Sequence, residues 1–192
     1  YTTSNPDSHI ASVTVDNADD DGAVGFSCTY SDLAGNAIAS AITTASSGSV
    51  TIDNTHPSIS SVVFDSGDYV NDAEDESAIN LVIITSGAED DEVVTATLNS
   101  AAYTCTLTSN TCTASITSAG LKALSEASHT FSVAVSDTAG NAATADTSES
   151  FTYDKTAPTS TTAVEAVTGS GAGNDADVVS ITLDPSETVG TP

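Results

Sequence analysis

The sequence predicts an all-β fold made of tandem units strung end to end. Three observations predict it. One signature occurs twice, as Phe26-Ser-Cys-Thr-Tyr-Ser-Asp32-Leu-Ala-Gly-Asn36 and as Phe131-Ser-Val-Ala-Val-Ser-Asp137-Thr-Ala-Gly-Asn141, with Asp32 and Asp137 105 positions apart. Each copy is followed by a second motif, Thr51-Ile-Asp53-Asn-Thr-His-Pro57 and Thr152-Tyr-Asp154-Lys-Thr-Ala-Pro158, and here Asp53 and Asp154 lie 101 positions apart. Apolar residues alternate with polar ones along both copies, as in half-buried strands. A long period carried by strands marks an array, and an array supplies reach and stiffness.

Cutting at Pro57 and Pro158 leaves residues 57–157 as one complete unit. Its expected strands are 59–64, 78–85, 93–98, 103–107, 112–117, 130–136 and 148–153. Leu81 and Ile83 alternate on one strand, and Phe131, Val133 and Val135 on another. Seven short strands in about 100 residues, with turn residues between them, fit an immunoglobulin-like sandwich. Ser118 to Glu126 reads as a helical turn crossing between sheets, with Leu121 and Leu124 inward. Residues 1–56 match the C-terminal half of that unit plus a linker. Residues 158–192 match its N-terminal half, Asp177–Glu187 paralleling Ile79–Glu89. Strands are expected over 25–32 and 176–183. The two halves together lack roughly eight residues, those matching 95–102. Neither half can bury its apolar face alone, so neighbouring sequence or another copy of the chain is the expected partner.

The 192 residues carry 27 Asp and Glu against two cations, Lys122 and Lys155, for a net charge of −25. Nucleic acid and anionic membrane surfaces need positive charge and are poor partners, so no nucleic acid and no membrane insertion are expected. A hydrophobic content of 39% allows small cores. No apolar run reaches the ~18 residues of a membrane span. The first residue is Tyr1 and no leader is visible, so the chain reads as a processed or excised piece. The bulk charge fits a solvated acidic surface in a saline habitat; divalent cations would also neutralise it locally.

Of three cysteines, Cys105 and Cys112 flank a hairpin with Thr108-Ser109 at its turn, and opposed strand positions meet disulfide geometry. The pair points to an oxidising, extracellular setting. No other Cys or His is placed to complete a soft metal site with it. Cys28 stands where the second copy has Val133 and reads as a small buried core residue.

The stretch Leu121-x-x-Leu124-Ser-Glu, His129-Thr-Phe131 through Asn141, and Tyr153-Asp154-Lys-Thr156-Ala-Pro158 resembles the bacterial-type, cadherin-like Ig repeat of large extracellular surface proteins and adhesins. The match covers the whole chain, with one full copy and two halves. The resemblance implies an extended spacer, often stiffened by calcium. Two features depart from it: the cysteine pair, and His56 in place of a small residue before the linker proline.

In such a unit the loop 89–91, the loop 137–141 and the entering linker share one pole. Asp53, Glu89, Asp137 and Asn141 then offer hard oxygen donors for calcium, which takes 6–8 of them. Asp32 and Asn36 repeat the loop pair, and Asp154 with Glu187 repeat the linker and loop acids. The alternative is that the Asp and Asn of each loop bond their own turn. A second acidic run, Asp65, Asp68, Asp72, Glu74, Asp75 and Glu76, lies at the opposite pole, near Asp154; it lacks EF-hand spacing and reads as a solvated loop.

No catalytic residues are assigned. His9, His56 and His129 are scattered, and Gly169-Ser-Gly171-Ala-Gly173 is not followed by the lysine and helix of a phosphate loop. There is no N-x-Ser/Thr acceptor. The expected role is structural: a segment of a surface filament, sheath or adhesin stalk, working with copies of itself or neighbouring Ig-like domains. The alternatives are a module binding carbohydrate, ice or another surface, and a non-catalytic appendage of a secreted enzyme. With 5% aromatic residues and no Trp, a stacking platform for sugars is thin.

Overall fold

The computed structural model describes residues 12–16, 18–45, 47–168 and 178–188. Short strands dominate. β1 (Gly22–Ala23) pairs antiparallel with β2 (Thr51–Ile52). The central stretch follows with β3 (Ser58–Phe64), β4 (Tyr69–Val70), a 3-10 turn (Glu74–Glu76), β5 (Ile79–Ser86), β6 (Val93–Leu98), β7 (Ala101–Thr106), β8 (Thr111–Ile116), helix α1 (Ser118–Lys122), β9 (Ala127–Thr130), β10 (Ser132–Ala134) and β11 (Ser150–Tyr153). β12 (Ser160–Thr168) and β13 (Val178–Pro185) form a last antiparallel pair.

The central strands form three sheets, ordered β3-β5-β8, β10-β6-β7 and β4-β11-β9. The last two are joined along the chain, because only Phe131 separates β9 from β10 and its N–H donates to the Glu149 carbonyl at 2.9 Å. β4 runs parallel to β11, and the other pairings are antiparallel. Alternation puts Leu81, Ile83, Val94, Ala96, Ala114, Ile116, Phe131 and Val133 into one core. Phe64 packs against Phe131 and Phe151 at centroid distances of 5.1 and 4.8 Å. Fully burying each such side chain contributes about 1.5–3 kcal/mol.

The expected strands are found within a few residues of their predicted ends, with two exceptions. The segment expected as one strand over 130–136 divides at Phe131. The 25–32 strand shrinks to isolated bridges, Cys28 with Ile42 and Ser31 with Ala37, with no longer ladder beside it among the described residues. The strand expected over 176–183 is β13, Val178–Pro185; residues 176 and 177 lie outside the described ones. α1 is the predicted helical turn, capped by Thr117 Oγ1, which accepts from Gly120 N at 3.2 Å. Leu121 and Leu124 are both buried beneath it.

Cys105 and Cys112 form the predicted disulfide, with Cα atoms 5.7 Å apart. The turn differs by one residue: Thr108 pairs with Thr111 around Ser109-Asn110, both at positive φ (52° and 63°). Two left-handed residues make the tight hairpin turn that matches strand twist. Beyond it the strands diverge, β7 to one sheet and β8 to another, so the disulfide stitches two sheets together. Closing so short a loop should contribute about 2–3 kcal/mol, read as the fall in unfolding free energy on reduction.

Cys28 is the correction. It is exposed, not buried, since no strand among the described residues covers that face. Thiol titration should therefore find one free thiol, reactive without denaturant; a count of three would refute the disulfide.

Candidate functional site

The repeated Asp-x-Ala-Gly-Asn loop has the same internal structure in both copies. Asp137 N–H donates to the Asn141 carbonyl (3.1 Å) and Gly140 N–H to the Asp137 carbonyl (3.0 Å). Asn141 N–H donates to Asp137 Oδ1 (2.8 Å) and Asn141 Nδ2 to Asp137 Oδ2 (2.9 Å). In the first copy the corresponding distances among Asp32, Gly35 and Asn36 are 2.9, 3.0, 2.8 and 2.7 Å. The turn needs a left-handed residue, and Gly35 (φ 90°) and Gly140 (φ 96°) supply it.

The second loop also grips the linker. Asn141 Nδ2 donates to the Asp53 carbonyl at 2.9 Å, and His56 Nδ1 donates to the Ala142 carbonyl at 2.8 Å. Thr138 N–H donates to Glu89 Oε2 at 3.0 Å, and its hydroxyl to Glu92 Oε1 at 2.9 Å. The loops carrying Glu89 and Asp137 and the linker carrying Asp53 thus converge, as the sequence led one to expect.

What they do there differs from a ready cation site. Both oxygens of Asp137 are occupied by donors of its own loop, as are both oxygens of Asp32. Burial works against the Asp137 charge, but the Asn141 amide and the N–H groups of Asn141, Gly140 and Ala139 outweigh it and hold its carboxyl below the usual range. Asp32 is held low by the Asn36 side chain and N–H. Among the described residues, no three carboxylate, imidazole or thiol groups gather at metal-ligand range.

The linkers repeat as well. Asp53 Oδ1 accepts from Thr55 N–H and Asp154 Oδ1 from Thr156 N–H, both at 3.0 Å. The Thr55 hydroxyl donates to Asp21 Oδ2 (2.6 Å), and the Thr156 hydroxyl to Glu126 Oε2 (2.8 Å). Asn54 N–H adds a bond to Asp21 Oδ1 at 2.6 Å, and the Thr55 and Asn54 bonds together lower the Asp21 pKa. Sequence reasoning missed these clamps. The signal was present: Asp21 and Glu126 stand 105 positions apart, the spacing of the loop acids.

At the far end, Asp154 and Glu187 line an open cleft with Asp72, Glu76 and Pro158. Glu187 Oε1 is buried there with no hydrogen-bond partner among the described residues. Asp75, expected in a solvated loop, is instead fully buried. The Tyr153 hydroxyl donates to its Oδ2, and Lys122 Nζ sits 3.8 Å from Oδ1 and 2.7 Å from Glu76. One acid of the run is thus folded inward to anchor the strand that leads into the second linker.

No helix among the described residues is long and apolar enough to cross a membrane. No family model and no curated protein matches the chain. Two solved structures are similar to it. One, from work on host cell surface retention of a 1.5-MDa bacterial ice-binding adhesin, is 23% identical with a TM-score of 0.41, over 70% of this chain and 43% of that one. The other is a Ca2+-stabilized adhesin with which an Antarctic bacterium binds ice; it is 24% identical with a TM-score of 0.38, over 77% of this chain and 35% of that one. The chain thus spans less than half the length of either structure.

Proposed function

We propose that the chain is a non-catalytic structural segment of a secreted tandem array of immunoglobulin-like units, serving as a surface filament, sheath or adhesin stalk. The observation that carries this reading is the repetition of a junction: loop, linker turn and acid–threonine clamp recur with the same bonds about one hundred residues apart. Residues 57–157 are one unit, and 1–56 and 158–192 are halves of its neighbours.

The halves support the same reading. β12–β13 has a register irregularity near its start, between Ser160 and Ala163, as β3–β5 has between Ile59 and Ser61. Phe26 and Tyr30 are 46% and 62% exposed, while Phe131 and Val135, at the same repeat positions, are 1% and 4% exposed. Among the described residues the first half therefore lacks a cover of the kind that β3, β5 and β8 give the central unit. Neighbouring sequence or a second copy supplies it, in place of the solvent that Phe26, Cys28 and Tyr30 meet here. Val179, Ile181 and Leu183 at the other end belong to the complementary half.

For calcium, the second junction is the stronger candidate. Asp137 and Asn141 bond within their own loop, as do Asp32 and Asn36, while Asp53 and Glu89 each keep one carboxylate oxygen that accepts no bond among the described residues. At the second junction Asp154 also keeps one, and Glu187 Oε1 is buried without a partner among the described residues, so water and backbone carbonyls would complete a coordination shell there. Calorimetry with calcium or chelator tests both statements. Asn141→Ala should cost about 1–3 kcal/mol for its lost bonds, equally in both conditions. Glu187→Gln should remove most of any calcium-dependent rise in melting temperature. An Asn141→Ala penalty that vanishes in chelator would return the cation to the first junction.

A further inference from the structure

Every charged side chain of residues 57–157 lies outside the nine β-strands of that stretch. The acids and lysines occupy loops, the 3-10 turn and α1. For a chain of net charge −25 this is an uneven distribution, and it leaves the outer faces of the sheets neutral. The β3-β5-β8 sheet is the one whose outer face carries exposed aliphatic side chains in adjacent rows. Register aligns Val63, Val82 and Thr113 in one row and Ser61, Ile84 and Thr111 in the next. Val63 and Ile84 are 50% and 41% exposed, and Thr111 and Thr113 are exposed. Small β-branched side chains on a pleated surface allow close approach of a second flat surface.

We propose that this face is where two copies of the chain pack side by side. The charge pattern selects the partner. Elsewhere each copy presents uncompensated carboxylates, and like charges across an interface cost free energy; only the strand faces let two such anions meet without repulsion. A neutral polysaccharide is the weaker fit, because the face has no aromatic ring for a sugar to stack on.

Area sets the strength. Three strands about 4.8 Å apart and six residues long at about 3.4 Å each cover roughly 300 Å². A stable interface needs about 800 Å² per partner. One unit is therefore a weak contact, and a row of units multiplies it through effective concentration. Salt should strengthen the contact by screening the acidic poles, since the Debye length falls to ~3 Å at 1 M.

Amide chemical shifts of the 192-residue chain, carrying Cys28→Ser to exclude intermolecular disulfides, are to be followed against chain concentration at low and high salt. The expected result is concentration-dependent shifts at high salt, centred on Val63, Val82, Ile84, Thr111 and Thr113. Val82→Glu should weaken the association about tenfold, or ~1.4 kcal/mol. Thr113→Glu, at an exposed position, serves if Val82→Glu disturbs the fold. Ala134→Glu, on the other outer face, should leave it unchanged. Four results would overturn the proposal: no concentration dependence at either salt, shifts centred on the Phe26–Tyr30 face, association indifferent to both Glu variants, or shifts on this face only when a neutral soluble glucan is added.

Discussion

Phe131→Ala should destabilise the chain by about 3–5 kcal/mol, while Phe26→Ala, at the same position of the repeated signature, should cost less than about 1 kcal/mol. The sequence gives no reason for the difference. Both residues open the same strand motif, and both precede an Asp-x-Ala-Gly-Asn loop by the same distance. The structure gives one. Phe131 is 1% exposed and packs against Phe64 and Phe151, so truncation leaves a cavity in a closed core. Phe26 is 46% exposed, and its removal leaves no cavity. Equal penalties from urea unfolding would mean that the first half is already covered, and a small Phe131 penalty would deny the central core. A domain of this size holds only about 5–15 kcal/mol in total, so the larger substitution should remove a large share of it.

Tyr153→Phe is the second large effect. Asp75 has no exposed surface, and removing the tyrosine hydroxyl leaves its carboxylate with only Lys122 at 3.8 Å. A hydrogen bond to a buried charged group contributes about 1.5–3 kcal/mol, and the orphaned acceptor keeps its desolvation cost. The same pair sets an alkaline limit. Burial first, then the bond to Asp75 and its charge, push the Tyr153 hydroxyl up to about 12. An unfolded tyrosine titrates near ~10. A raised phenol pKa means that the native state keeps its proton longer. Its contribution is therefore complete below about pH 10 and is lost as pH rises toward about 12. Melting temperatures should fall across that window in the parent chain and fall much less in Tyr153→Phe. Equal falls in the two proteins would remove Tyr153 from the alkaline transition.

The fold was largely legible because its strands alternate. Leu81 and Ile83, or Phe131, Val133 and Val135, advertise an inward face through spacing alone. The disulfide was legible from two cysteines flanking a turn, although its register was off by one, because positive φ at Ser109 and Asn110 is not visible in their identities. Asp75 was not legible. It is one of six acids in a short run, and nothing local marks which one turns inward toward a tyrosine nearly eighty residues away. Cys28 failed for another reason: its motif position is a core position, but burial needs a covering sheet that residues 12–56 do not contain. The loop pair Asp137–Asn141 was found by its repetition. Its chemistry depended on which way the Asn141 amide points, and its NH2 group faces both Asp137 and the linker carbonyl.

On the function proposed above, the chain is part of a row of like units held by repeated junctions. Electron-microscope images of the native assembly test it most directly. Strand β5 spans about 27 Å, and loops at both poles make a unit longer than that. Unbranched rods beaded at a regular spacing of one unit, above about 27 Å, are the expected result. Globular particles with no axial repeat would contradict it.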